Sequence, residues 1–361
     1  GENEKKEAVL ATNIFGRMKP DQKEDVIKIL KDSGRYVAMV GDGVNDVKSL
    51  KMANVGVAMQ SGSGATRGVA DMVLLNDQFS ALPKAMVEGK RTVSGMRDIL
   101  KIYLARNFIL AIIIGVMLLG LDTLPILPIQ NTYYALSTVS IAAFLIAIWA
   151  KPSENKGLIL PDVLRFCLPM ALLISVFAIV IFYSFMVLSF EGTLNIPWEP
   201  VFSVYQSVFP GNTVDQFFVH MTGISGAPAD LWYYVVARNA MLFFLVAAGI
   251  SMIALVFPRY KWMTRGEAHK GMFPTLLILM LIGVVVLFHN VPVVYMGLAS
   301  VMVFPAEIYL ILFAILAVWM LCAIAINRSK RESIIVRISG RFFNKRYANI
   351  VRKEDEKDQR R

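Results

Sequence analysis

Gly41-Asp42-Gly43-Val44-Asn45-Asp46 is the segment of this 361-residue chain best equipped for chemistry. Two carboxylates with an amide between them supply the hard oxygens that Mg2+ prefers. Gly41 and Gly43 allow a tight turn and the close approach of a phosphate. An isolated aspartate at a helix start is more often a cap than a ligand. Two aspartates flanked by glycines point instead to a ligand role for Asp42 and Asp46. Gly62-Ser63-Gly64 and Gly68 do not have dinucleotide-binding spacing and read as a turn.

The surrounding pattern says what positions this loop. Residues 20–33 read as a helix with Pro20 at its start, Val26, Ile27 and Leu30 on one face, and Gly34 at its end. Tyr36 to Val40 reads as a short buried strand that runs into the loop, and a helix follows to about Ala53. Val55 to Met59 and Asp71 to Leu75 read as two further strands. Apolar strands alternating with helices predict a parallel α/β sheet. Ligands of such sheets bind at the carboxyl ends of the strands, where this loop lies. The helix N-terminus after the loop favours an anion.

The rest of the chain has a different character. Hydrophobic residues make up 56% of the sequence, and they concentrate after residue 101. Six segments are apolar enough to span a bilayer: 102–121, 131–150, 167–190, 231–257, 273–290 and 304–326. Each approaches the ~20 residues a membrane helix needs. Backbone groups in lipid must bond internally, so each is expected to be helical. Lys151, Lys156 and Arg165 lie between the second and third segments, and Arg259, Lys261, Arg265 and Lys270 between the fourth and fifth. Residues 191–230 and 291–303 contain no Lys or Arg. The positive-inside rule places the basic loops and both chain ends in the cytoplasm.

The expected organisation is therefore an α/β region over 1–100, a membrane region over 101–326 and a basic tail over 327–361. The tail from Arg341 interleaves aromatics with cations. It reads either as a nucleic-acid or anionic-lipid surface or as the solvated flank of a last span, and the second is preferred. The net charge of +10 is thus no sign of a nucleic-acid partner. Cys167 and Cys322, both in apolar runs, imply neither a disulfide framework nor a zinc site. His220, His269 and His289 are scattered and form no triad. The chain begins at Gly1 with no signal peptide before the α/β region, and the expectation is a piece of a longer protein.

At these residues the sequence resembles the P-type ATPases of the haloacid dehalogenase superfamily. Phe15-Gly16-Arg17-Met18-Lys19-Pro20-Asp21-Gln22-Lys23 is similar to that family's hinge-side segment. Val40 to Asp46 matches its diagnostic loop. Val57-Ala58-Met59 with Gly62-Ser63-Gly64, Ala70 to Leu75, and Glu88-Gly89-Lys90-Arg91 continue the match in register. Ala81-Leu82-Pro83 and Pro128-Ile129-Gln130 point to bacterial cation pumps.

The resemblance implies a Rossmann-like partial phosphorylation domain followed by an all-α membrane domain of six transmembrane helices. It implies that Asp42 binds Mg2+, with Asp46 a second possible ligand. Asn45 and Asp46 would position metal and phosphoryl group, Lys23 would offset phosphoryl charge, and Gly41 and Gly43 would line the cofactor. ATP would be the substrate of the full-length protein, in a bacterial plasma membrane. The family's phosphorylated aspartate, in Asp-Lys-Thr-Gly-Thr, does not occur among these residues. The implied partners are the bilayer, a transported cation and an N-terminal part with nucleotide-binding and actuator domains. Alone, the chain is expected to be inactive. Val47-Lys48-Ser49-Leu50 stands where the family usually has Ala-Pro-Ala-Leu.

Cation pumps of this family usually carry ligands in the spans equivalent to the first two here. Asn107 in the first, after Arg106, and Asn131, Ser137 and Thr138 in the second are the candidates. Intramembrane polar groups are functional candidates by default, although hydroxyls also serve helix packing. Arg238 and Glu307 are a possible pair. The second span has no carboxylate. A phospholipid flippase and a non-catalytic membrane scaffold therefore stay open as alternatives.

Overall fold

The computed structural model describes residues 2–121, 124–152, 159–225, 231–257, 263, 273–292, 296 and 300–328. Lys156, Arg259, Lys261, Arg265, Lys270, His269 and the tail from residue 329 lie outside the described residues. The chain divides into two compact units, Gly1–Gly89 and Lys90–Arg361.

The first unit contains α1 (Glu2–Ala11), α2 (Pro20–Asp32), β1 (Ala38–Gly41), α3 (Val47–Met52), β2 (Val55–Met59), α4 (Gly64–Val69) and β3 (Met72–Leu74). Pro20 has the fixed φ that suits a helix start. The Gln22 side chain accepts from the Lys19 N–H at 2.9 Å, satisfying a donor the helix leaves open. Gly34, at φ 80°, ends α2 as expected.

The sheet is parallel with order β1-β2-β3, and Val57 pairs with Val40 on one side and Met72 on the other. Here the structure corrects the expectation of a buried first strand. β1 starts at Ala38, and Tyr36 is 80% exposed. β1 and β3 flank the described sheet, so only β2 is covered on both sides, and Val57 and Ala58 form its buried centre. Asp71 precedes β3 instead of opening it. Its carboxylate accepts from the Gly56 N–H at 2.7 Å, and its own N–H donates to the Gly56 carbonyl at 2.8 Å. Asp71→Ala is expected to destabilise the protein that contains this unit by about 1–3 kcal/mol, because it orphans a half-buried backbone donor. Denaturant unfolding followed by a probe in the unit checks this.

The second unit is helical. Among the described residues, five helices are long and apolar enough to cross a membrane, the first of them beginning before the second unit: Ala81–Gly120, Pro128–Trp149, Asp162–Phe190, Trp232–Val256 and Ala306–Arg328. They belong to α5 (Ala81–Leu121), to α6 (Pro128–Ala135) and α7 (Ile141–Trp149) joined through a π-helical turn Leu136–Ser140, to α8 (Ile159–Phe190), to α11 (Trp232–Val256) and to α13 (Ala306–Arg328). Between α8 and α11 lie α9 (Glu199–Val208) and α10 (Val214–Thr222). Residues 273–290, expected as a further span, form α12 (Phe273–Asn290), which is not among the five.

α11 is the centre of this unit. It is predominantly apolar and buried on nearly every side, with Arg238 and Asn239 buried among its apolar residues. The outer helices turn Leu119, Val176, Leu310 and Leu321 outward, the surface that lipid would cover. α8 begins at Ile159, so Arg165 lies on a helix and not in a loop. The ion pair between Asp162 and Lys101, 3.4 Å apart, holds this polar first turn.

Candidate functional site

The loop after β1 begins at Gly41, the last strand residue, and turns through a short 3-10 helix, Val44–Asp46, into α3. The Asp46 N–H donates to the Gly43 carbonyl at 3.0 Å and closes the turn. Asp46 is 6% exposed, and its Oδ1 accepts from the Lys23 ammonium of α2 at 2.6 Å. A buried carboxylate needs such a partner, since burial unpaired is costly. Among the expected site residues, then, the fold joins Lys23 to Asp46. Asp42 and Asn45 are exposed at the same loop.

Gly41 earns its place through packing, not through an unusual dihedral. A Cβ there would stand 2.6 Å from the Asp46 Cβ and 3.0 Å from its Oδ2. Gly43 differs: a Cβ there would meet nothing nearer than the Asn45 nitrogen at 3.9 Å. It would also lie 4.0 Å from Asp46 Oδ2, an ordinary contact, so Gly43 has room that Gly41 lacks.

The turn at Gly62-Ser63-Gly64 supports this loop from behind, a role the sequence reading missed. The Ser63 N–H donates to the Asp42 carbonyl at 2.9 Å. The hydroxyl of Thr66, fully buried, donates to the Gly43 carbonyl at 3.0 Å. Ser63 also caps α4 by accepting from the Thr66 N–H at 3.1 Å. A Cβ at Gly62 would stand 2.8 Å from the Asp42 carbonyl oxygen, so only glycine allows this approach. The available signal was Ser63 three residues ahead of Thr66, a cap spacing. Nearby, the Ser61 hydroxyl and N–H hold the Asp77 carboxyl below the usual carboxylate range.

In the second unit the transport candidates separate. Asn131 binds Arg106, its Oδ1 accepting from Nη2 at 2.5 Å. The Thr138 hydroxyl donates to its own helix, to the Tyr134 carbonyl at 2.6 Å, and its methyl faces Gly249 of α11. Ser137 is fully buried within the π-helical turn, and Asn107 is half-buried on α5. The expected pairing of Arg238 with Glu307 is not formed. Arg238, fully buried, donates to the Met221 carbonyl and to the Thr222 carbonyl at 3.2 Å, while Glu307 is exposed. The end of α10 presents unsatisfied carbonyls, and a guanidinium suits them as well as a carboxylate would suit it.

The loop lies within a match to a known family. The sequence model of the haloacid dehalogenase-like hydrolase family matches residues 4–54. The calcium-transporting ATPase CtpE of Mycolicibacterium smegmatis is 30% identical over 253 residues, covering 67% of this chain and 31% of that protein. CtpE of Mycobacterium bovis is 41% identical over 144 residues, covering 37% of this chain and 18% of the relative. The probable cation-transporting ATPase exp7 of Streptococcus pneumoniae is 42% identical over 129 residues, 34% of this chain and 17% of its own length. The chain spans less than a third of the length of these relatives. By motif, by family match and by relatives, it resembles the bacterial cation-transporting P-type ATPases of the haloacid dehalogenase superfamily.

Proposed function

We propose that this chain is part of an ATP-driven P-type cation pump. In this reading residues 1–100 complete a cytoplasmic phosphorylation domain, 101–326 form six spans of the transport pathway, and 327–361 are a cytoplasmic tail. The observation that carries the reading is the Lys23–Asp46 ion pair beside the exposed carboxylate of Asp42, at the carboxyl end of a parallel strand.

The donor set fits Mg2+, which takes one or two carboxylates and completes its shell with phosphate oxygens and water. Asp42 is exposed, and Asp46 Oδ2 lies 3.0 Å and 4.0 Å from where Cβ atoms at Gly41 and Gly43 would stand, facing the glycine side. When bound there, the ion would neutralise charge on a transferring phosphoryl group. The protein's own share is positioning and charge. Lys23 directs an ammonium toward the phosphoryl oxygens while Asp46 fixes its direction. Asn45 offers an exposed amide, and Gly43 leaves room for the group to approach.

The relatives' names make Ca2+ the first ion to test. ATP hydrolysis by the complete protein, reconstituted in lipid with Mg2+, would be measured against Ca2+, Mn2+, Na+, K+ and pH. The expected result is stimulation by one cation, Ca2+ first. Turnover that ignores every cation and responds instead to phospholipid headgroups would sink the reading.

A further inference from the structure

Gly43 stands between the two carboxylates that the pump reading assigns to Mg2+, Asp42 and Asp46. Glycine has the widest backbone freedom of any residue, so its φ and ψ are the loosest joint in the loop. The turn after β2 fixes that joint from both sides. The Asp42 carbonyl, in the peptide group before Gly43, accepts from the Ser63 N–H at 2.9 Å. The Gly43 carbonyl, in the peptide group after it, accepts from the Thr66 hydroxyl at 3.0 Å and from the Asp46 N–H at 3.0 Å. Each peptide group is planar, so holding its carbonyl holds its whole plane.

The hydroxyls form a chain with a direction. Ser63 Oγ and Thr66 Oγ1 are 2.6 Å apart. A hydroxyl has one proton to give, and Thr66 gives its own to the Gly43 carbonyl, which can only accept. Ser63 is therefore the donor to Thr66. The Ser63 oxygen takes the Thr66 N–H at 3.1 Å in return. Thr66 is fully buried, so water does not compete for its hydroxyl. The Gly43 carbonyl is shared between this hydroxyl and the turn that carries Asp46, which couples Thr66 to the carboxylate through one atom.

We infer that Thr66 is a positioning residue for Mg2+ binding, acting through the Gly43 carbonyl to fix the spacing of Asp42 and Asp46. The inference rests on the assignment of Mg2+ to this loop in the pump reading above. Thr66 itself is not a ligand, because its hydroxyl is engaged in the loop. Its removal leaves both carboxylates present but lets the joint between them turn. Removing a group that orients metal ligands typically weakens metal binding about tenfold or more.

The test uses the complete protein, free of nucleotide, with Mg2+ alone as the probe. Hydrogen exchange of the backbone amides of residues 41–47 is followed as Mg2+ is added. Mg2+ is expected to slow this exchange in the wild type. In Thr66→Val, which keeps the shape and removes the hydroxyl, the half-protecting Mg2+ concentration is expected to rise about tenfold. Thr66→Ser keeps the hydroxyl and is expected to stay near the wild type. Mg2+ half-saturation of ATP turnover is expected to move in parallel, while the half-saturating Ca2+ concentration stays where it was. A packing role predicts the opposite order, since serine leaves a cavity where the methyl was and valine does not. Should Thr66→Val not fold, Thr66→Cys replaces it in the comparison with Thr66→Ser. Both lack the methyl, and a thiol is a weak donor. An unchanged Mg2+ midpoint in the valine or cysteine variant, or a larger change in serine than in valine, would overturn the inference and leave the pump reading intact. A wild-type loop that Mg2+ does not protect would overturn the assignment of Mg2+ to this loop, and the inference with it.

Discussion

Asp46→Asn in the complete protein is expected to lower ATP turnover by about two to three orders of magnitude, the range for removing one preorganised charge from a transition-state site. The argument starts from burial. Asp46 is 6% exposed and its Oδ1 lies 2.6 Å from the Lys23 ammonium, so the two charges are arranged for each other as well as for a ligand. Neutralising the carboxylate frees Lys23 to swing into water, where it no longer points at the loop. Lys23→Ala is expected to lose a similar factor. The double variant is expected to lose little more than either single one, because residues that act as a unit are not additive. Steady-state phosphate release from the four proteins checks this. Full additivity would mean that the two act independently and that the ion pair is incidental.

Gly41→Ala is expected to be as damaging by a different route. A new Cβ 2.6 Å from the Asp46 Cβ cannot be relieved by rotating a side chain tip. The 3-10 turn Val44–Asp46 must move, and with it the carboxylate. Overpacking of this kind costs about 1–3 kcal/mol, and the displaced Asp46 removes activity as well. Gly43→Ala gives the contrast. Its Cβ meets nothing within 3.9 Å, so stability is expected to hold. Any loss of turnover at Gly43 then reports on ligand approach and not on folding. Thermal unfolding and phosphate release on both variants separate the cases. Equal destabilisation at 41 and 43 would refute the packing argument.

The loop itself was legible because its information is local. Glycines, carboxylates and the strand before them lie within a few residues of each other. The parallel sheet was legible for the same reason, through short apolar runs separated by helices. What escaped was information carried across the chain. Thr66 reaches the Gly43 carbonyl from 23 residues away, and a threonine among small residues looks like many others. Tyr36 continues the apolar run of β1, yet it lies before the strand begins at Ala38 and is exposed. In the second unit, composition located the apolar helices but not their polar pairings. Arg238 invited a carboxylate partner, and the fold offered the carbonyls at the end of α10. Arg106 and Asn131, far apart in sequence, are paired only by the way α5 and α6 meet.

The π-helical turn in the second apolar helix works as a vernier. Gln130, Tyr134, Thr138, Ala142 and Ile146 recur every fourth residue, and each is at most 1% exposed. On an ideal α-helix, steps of four residues advance about 40° beyond a full turn each time. Five such positions would therefore drift around nearly half of the helix and could not all face inward. The wider turn at Leu136–Ser140 gives back part of that rotation midway. The inward row stays in phase, and a strict four-residue rhythm becomes compatible with one continuous buried face.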